Sequence, residues 1–165
     1  MPKSDGDYLT LRVGRADDGP AEPGTPCAGW FPIRFEIGDT RHEIRASNVM
    51  NDPLEDLATT LLAILQGDRE GSVHFWQEEP TAILELMVDP GREWLTVRLY
   101  ETETTELEIV DGELLGVVKV PLRDGCEQIL RALEAVESRS DPDVYAKEWR
   151  REFPEETLRA CRDLL

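Results

Sequence analysis

Residues 72–120 read SVHFWQEEPTAILELMVDPGREWLTVRLYETETTELEIVDGELLGVVKV, and their period is two. Val73 to Glu78, Ala82 to Val88, Trp94 to Tyr100, Glu106 to Val110 and Leu114 to Val120 read as successive strands, each presenting one apolar side. The breaks between them are Glu79-Pro80, Asp89-Pro90-Gly91-Arg92, Glu101 to Thr105 and Asp111-Gly112, all short and rich in turn formers. A parallel return needs about a dozen residues, so connections this brief force antiparallel neighbours and a meander.

Upstream, Leu9, Leu11 and Val13 alternate with Tyr8, Thr10 and Arg12, as in a half-buried strand. Residues 17–29 hold Pro20, Pro23 and Pro26 with Gly19, Gly24 and Gly29, which predicts a flexible loop. Phe31, Ile33, Phe35 and Ile37 share one strand face, and Gly38-Asp39 turns the chain into His42-Ile44-Ala46, so the two runs form a hairpin. Asp52-Pro53-Leu54-Glu55 then supplies a capping acceptor, a proline at the first helical position and a carboxylate two residues after it. The helix that starts there buries Leu54, Leu57, Ala58, Leu61, Leu62 and Leu65, and Gly67 can end it.

Downstream the period returns to that of a helix. Asp124 caps a run with Cys126, Ile129, Leu130, Leu133 and Val136 inward; Asp141-Pro142 opens a second with Tyr145, Ala146 and Trp149; Pro154 opens a third with Leu158, Cys161 and Leu165. Strands in one run and helices over 123–165 predict an α+β fold: a twisted antiparallel sheet of about six to eight strands with helices mainly on one face. The 165 residues suit a single domain, residues 1–165.

The chain carries 35 acidic and 18 basic side chains, a formal net charge of -17. Residues 51–115 hold 16 acids and 3 bases, so most of the field originates there. Such a field repels nucleic-acid phosphates and anionic lipid and speeds encounter with a basic partner. The polar start, Met1 to Asp7, lacks the apolar core of a signal peptide, and no apolar run reaches membrane-spanning length. The expectation is a cytoplasmic protein that touches neither nucleic acid nor membrane directly.

Catalytic and metal chemistries find little purchase. His42 and His74 are the only histidines, and no second ligand stands at metal-binding spacing from either. Cys27, Cys126 and Cys161 are odd in number and far apart, and the helical positions of Cys126 and Cys161 predict buried, inert thiols. The glycines match no phosphate-binding pattern. The expectation is a protein without catalytic residues, metal or cofactor.

The strand 94–100 places Leu95, Val97 and Leu99 on one face and Trp94, Thr96, Arg98 and Tyr100 on the other, while Trp76 and His74 oppose Val73 and Phe75 nearby. If the aliphatic faces meet the helices, rings emerge on an open sheet face beside acidic turns, an arrangement suited to protein binding. The candidate contact residues are Trp76, Trp94, Arg98, Tyr100, Glu101, Glu103, Glu106, Glu108, Asp111 and Glu113. In the competing reading, Trp149 and Phe153 fold back over the rings as a second small core.

The order of hairpin, a helix opening Asp52-Pro53-Leu54-Glu55-Asp56-Leu57, then Phe75-Trp76-Gln77-Glu78-Glu79-Pro80 before a long antiparallel run resembles small bacterial immunity proteins of toxin systems. The resemblance spans Phe31 to Glu101 and implies binding and neutralising a cognate toxin, with no catalysis; it transfers no individual contact residue. The leading expectation is an acidic, non-catalytic module that docks a basic protein, as an immunity or inhibitor protein does. The alternatives are a ligand-binding or enzymatic pocket using His74, Arg98 and nearby carboxylates, and a structural subunit that forms a homodimer through the open face.

Overall fold

The computed structural model describes residues 9–13, 30–38, 40–47, 51–76, 81–102, 112–139, 143, 146 and 152–165. The described elements are β1 (Leu9–Val13), β2 (Trp30–Ile37), β3 (Thr40–Ser47), α1 (Pro53–Leu65), β4 (Glu70–Phe75), β5 (Thr81–Val88), β6 (Trp94–Thr102), β7 (Glu113–Pro121), α2 (Leu122–Arg139) and α3 (Glu155–Leu164). The loop expected over 17–29, the strand over 106–110 and most of the helix from Asp141, with Tyr145 and Trp149, lie outside the described residues.

The strands are antiparallel throughout, but they form two sheets instead of the one large sheet expected: β1-β2-β3 and β4-β5-β6-β7. The reason is α1, which lifts the chain away from β3, so that one backbone bond from Ser47 N–H to the Trp76 carbonyl, 2.7 Å, joins the two sheet ends. The hairpin carries an apolar face of Ile33, Phe35, Ile37, Ile44 and Ala46, all buried, with Thr40 and His42 on the same side. Such a face must find a second surface to cover it. It finds the four-stranded sheet, where Phe35 meets Phe75 edge to face with ring centroids 5.1 Å apart.

Alternation along the second sheet turns Val73, Phe75, Ala82, Leu84, Leu86, Val88, Leu95, Val97, Leu99, Val118 and Val120 to this inner side, and all are buried. Two close approaches show what covers the inner side at its two ends. At one end Thr40 stands over Gly116, where an added Cβ would lie 2.8 Å from its hydroxyl, and that hydroxyl donates to the Leu115 carbonyl at 2.7 Å. At the other, α2 comes down at Gly125, where a Cβ would lie 2.7 Å from Leu95 Cδ2 and 2.9 Å from Val120 Cγ2. The hairpin and α2 therefore share the inner face, and both lie on the same side of the sheet.

Local chemistry sets α1 as the spacing predicted. Asp52 Oδ1 accepts from the N–H groups of Leu54 and Glu55 at 3.1 and 3.3 Å, Pro53 opens the helix, and Gly67 follows its end with a positive φ of 122°. Leu54, Leu57, Ala58, Leu61 and Ile64 are buried, with Leu62 and Leu65 packed partly against the same core. Full burial of each large aliphatic side chain contributes about 2 kcal/mol. The helix α2 begins at Leu122, two residues before the expected cap, because β7 runs straight into it and Leu122 N–H bonds the Glu93 carbonyl at 2.9 Å. α3 is fastened to α2 by Arg162, whose guanidinium donates to Glu134 at 2.7 Å and Glu137 at 2.6 Å. Phe153 joins the main core.

Candidate functional site

The second sheet leaves its outer side for other uses. Strand pairing places Glu85, Arg98 and Val117 in one row across β5, β6 and β7, and Met87, Thr96 and Lys119 in the next. Ile83, Tyr100 and Leu114 form a third row, and Trp94 lies opposite Pro121. Five large apolar side chains are exposed among the described residues, and four of them are on this side: Met87 at 38%, Trp94 at 40%, Leu114 at 49% and Val117 at 49%. Exposed apolar side chains gathered on one face mark a contact surface more strongly than scattered ones.

The opening covers only part of the outer side. Ile83, Thr81 and Thr102 belong to the same alternation and are buried, so the chain shields the end of the sheet where β5 begins and β6 finishes. The open part runs along β7 and the Trp94 end of β6. Its charges are tied to its apolar groups: Arg98 Nη1 donates to Glu85 Oε1 at 3.0 Å and touches Met87 Sδ at 3.0 Å, and Lys119 Nζ stands 5.2 Å from the Trp94 ring centroid. In the turn below, Asp89 Oδ1 accepts from the N–H groups of Glu93 and Trp94 at 2.8 and 2.7 Å. Those backbone donors, Trp94 foremost, hold its carboxyl below the usual range.

The residues singled out from the sequence are divided by this geometry. Trp94, Arg98 and Tyr100 share the outer side. Trp76 does not join them as an exposed ring; it is 8% exposed, just beyond the end of β4. Glu101 lies on the inner alternation, where His42 Nε2 stands 2.9 Å from its Oε2, and Glu113 lies directly across from it on β7. Rings and these two acids therefore occupy opposite sides of the sheet, because Glu101 follows Leu95, Val97 and Leu99 in period. Glu103, Glu106, Glu108 and Asp111 lie outside the described residues.

Met87, Leu114, Val117 and Lys119 join this face without a signal in their own segments. Simple alternation from Val117 would turn Leu115 outward, but an irregularity opposite Leu99 and Tyr100 moves the pairing, so that Leu114 faces out and Leu115 packs against the core. His74 and Arg98, joined in the pocket reading, stand on strands separated by β5, with the buried Ile83 beside His74. Burial holds the His74 imidazole below its ordinary value, against the pull of the Asp56 carboxylate. No helix among the described residues is long and apolar enough to cross a membrane.

No family model matches the sequence, and no curated protein matches it. Among solved structures, a chain of the CdiA-CT/CdiI toxin and immunity complex from Enterobacter cloacae is similar, with 12% identity and a TM-score of 0.40, over 79% of this chain and 99% of that one.

Proposed function

We propose that this chain is a non-catalytic protein-binding module that docks a basic protein on the outer side of its four-stranded sheet, as an immunity or inhibitor protein neutralises a toxin or effector in the cytoplasm. The observation that carries the reading is the gathering of Met87, Trp94, Leu114 and Val117, exposed together on one face. Desolvating such side chains supplies affinity, and rings contribute most of it. Trp94 and Tyr100 are the ring contacts and Arg98 a polar one. Trp76 acts from the core. Glu101, Glu103, Glu106, Glu108, Asp111 and Glu113 act through the long-range field of a chain whose net charge is -17, drawing a positive partner before contact is made.

A photo-crosslinking residue at position 94 or 117, expressed in the native host, should capture one basic protein that the same group at position 159 on α3 does not. With that partner purified, Val117→Asp should weaken binding by about tenfold or more, and added salt should slow association. Capture of nothing, or of the same proteins from all three positions, would remove the docking face from consideration.

A further inference from the structure

We infer that Met87 is an oxidation site, and that its sulfoxide draws Arg98 away from Glu85. Met87 is the one methionine among the described residues. Its side chain lies on the outer side of the four-stranded sheet and is 38% exposed, so a small oxidant reaches the thioether while the chain stays folded. Strand pairing sets it between Glu70 on β4 and Thr96 on β6, with Glu85 and Arg98 in the next row. Arg98 reaches across the diagonal: its Nη1 stands 3.0 Å from Met87 Sδ and also 3.0 Å from Glu85 Oε1. One nitrogen thus serves a thioether and a carboxylate. The thioether is the weaker acceptor, so in the reduced chain the guanidinium is held mainly by Glu85.

The reagent is a hydroperoxide, hydrogen peroxide being the simplest. A lone pair of Met87 Sδ attacks one peroxide oxygen, and a sulfur–oxygen bond forms as the oxygen–oxygen bond breaks. The departing hydroxide carries off that bond's electron pair, takes the proton of the transferred oxygen and leaves as water. Sulfur is oxidised and the peroxide reduced: methionine and hydrogen peroxide give methionine sulfoxide and water, with Arg98 unchanged. The sulfoxide is the reversible rung of methionine oxidation, and methionine sulfoxide reductases restore the thioether. Its oxygen is a strong acceptor with partial negative charge, created on an atom already 3.0 Å from a guanidinium nitrogen. Glu70, exposed and directly across on β4, repels that oxygen, whereas Arg98 attracts it. The unbranched methionine side chain turns easily enough to bring the two together. Glu85 then loses its partner, and a polar, chiral group replaces an apolar one on the sheet. This chemistry requires no docking partner.

The full folded chain, mixed with N-acetylmethionine amide as an internal reference, is treated with hydrogen peroxide, and its peptides are mapped by mass spectrometry over time. The peptide bearing Met87 should gain one oxygen at a rate within about tenfold of the reference. Slower reaction than that would overturn the assignment of the site. In nuclear magnetic resonance, the Arg98 guanidinium signals should shift when the wild-type chain is oxidised and stay in place when Met87→Leu receives the same dose. A crystal structure of the oxidised chain should place the sulfoxide oxygen about 2.9 Å from an Arg98 nitrogen, with Nη1 withdrawn from Glu85. Unmoved Arg98 signals, or a sulfoxide turned to solvent beside an intact pair of Arg98 and Glu85, would overturn the capture. None of these readouts involves a basic partner, so the docking reading stands or falls separately.

Discussion

The His42 imidazole lies 2.9 Å from the Glu101 carboxylate and joins β3 of the first sheet to β6 of the second. Both side chains are about one quarter exposed, at 25% and 26%, so solvent screens much of their attraction. A double-mutant cycle with His42→Gln and Glu101→Gln, read from urea midpoints, should return a coupling of about 0.5–1 kcal/mol. A coupling of zero would mean that the pair adds nothing to the docking of the two sheets beyond Phe35 on Phe75 and the hydrogen bonds of Thr40 and Ser47.

Arg92 should matter more than its place in a turn suggests. Its guanidinium donates to the carbonyls of Ile64 at 2.7 Å, Gly67 at 3.1 Å and Asp68 at 3.2 Å, capping the end of α1, whose last turn has no basic residue. Its backbone sits at φ 54°, a left-handed conformation that glycine adopts more readily. Arg92→Ala should cost about 1–2 kcal/mol of stability, and Arg92→Gly about 1 kcal/mol less than that, since it loses the cap but relieves the backbone. Equal losses in thermal or denaturant unfolding would show that the left-handed turn stores no strain.

The Asp89 carboxyl gives a pH dependence with a definite sign. Its value is lowered in the folded chain by the N–H donors of Trp94 and Glu93. Its contribution is therefore complete above the ordinary carboxylate range and is lost as pH falls through the lowered folded value. The stability difference between wild type and Asp89→Asn should shrink steadily as the solution is acidified below that range. A difference that stays constant with pH would show that the ionised form has no advantage in this turn.

The two described thiols should be silent in the native protein. Burial pushes Cys126 up to about 11 and raises Cys161 as well, and Cys161 points its sulfur at the Ala58 carbonyl 3.8 Å away. Since the thiolate is the reactive form, little of it exists at neutral pH. In a Cys27→Ser background, an aromatic disulfide reagent should modify neither thiol until the chain is unfolded. Reaction of either at the speed of a free thiol would place it at the surface.

Much of the fold was legible because its signals are local. Asp52-Pro53 names the start of α1 by the hydrogen bonds one side chain can make with the next two N–H groups, and Gly38-Asp39 closes a hairpin whose strands pair Ile37 with Thr40. The alternation of Trp94 to Tyr100 separated the buried Leu95, Val97 and Leu99 from their neighbours, because a strand turns successive side chains to opposite faces whatever it packs against.

The surface was harder to read, since it depends on relations between distant segments. Whether the seven described strands make one sheet or two rests on where α1 carries the chain, and no period within a strand records it. The outward turn of Leu114 follows from a pairing shift against β6, and the approach of His42 to Glu101 follows from how the hairpin and the second sheet meet. Residue chemistry thus set the elements and their apolar sides. Packing between the two sheets decided which polar and aromatic groups remained outside, because desolvation is a property of the neighbours a side chain acquires, and those neighbours lie far away along the chain.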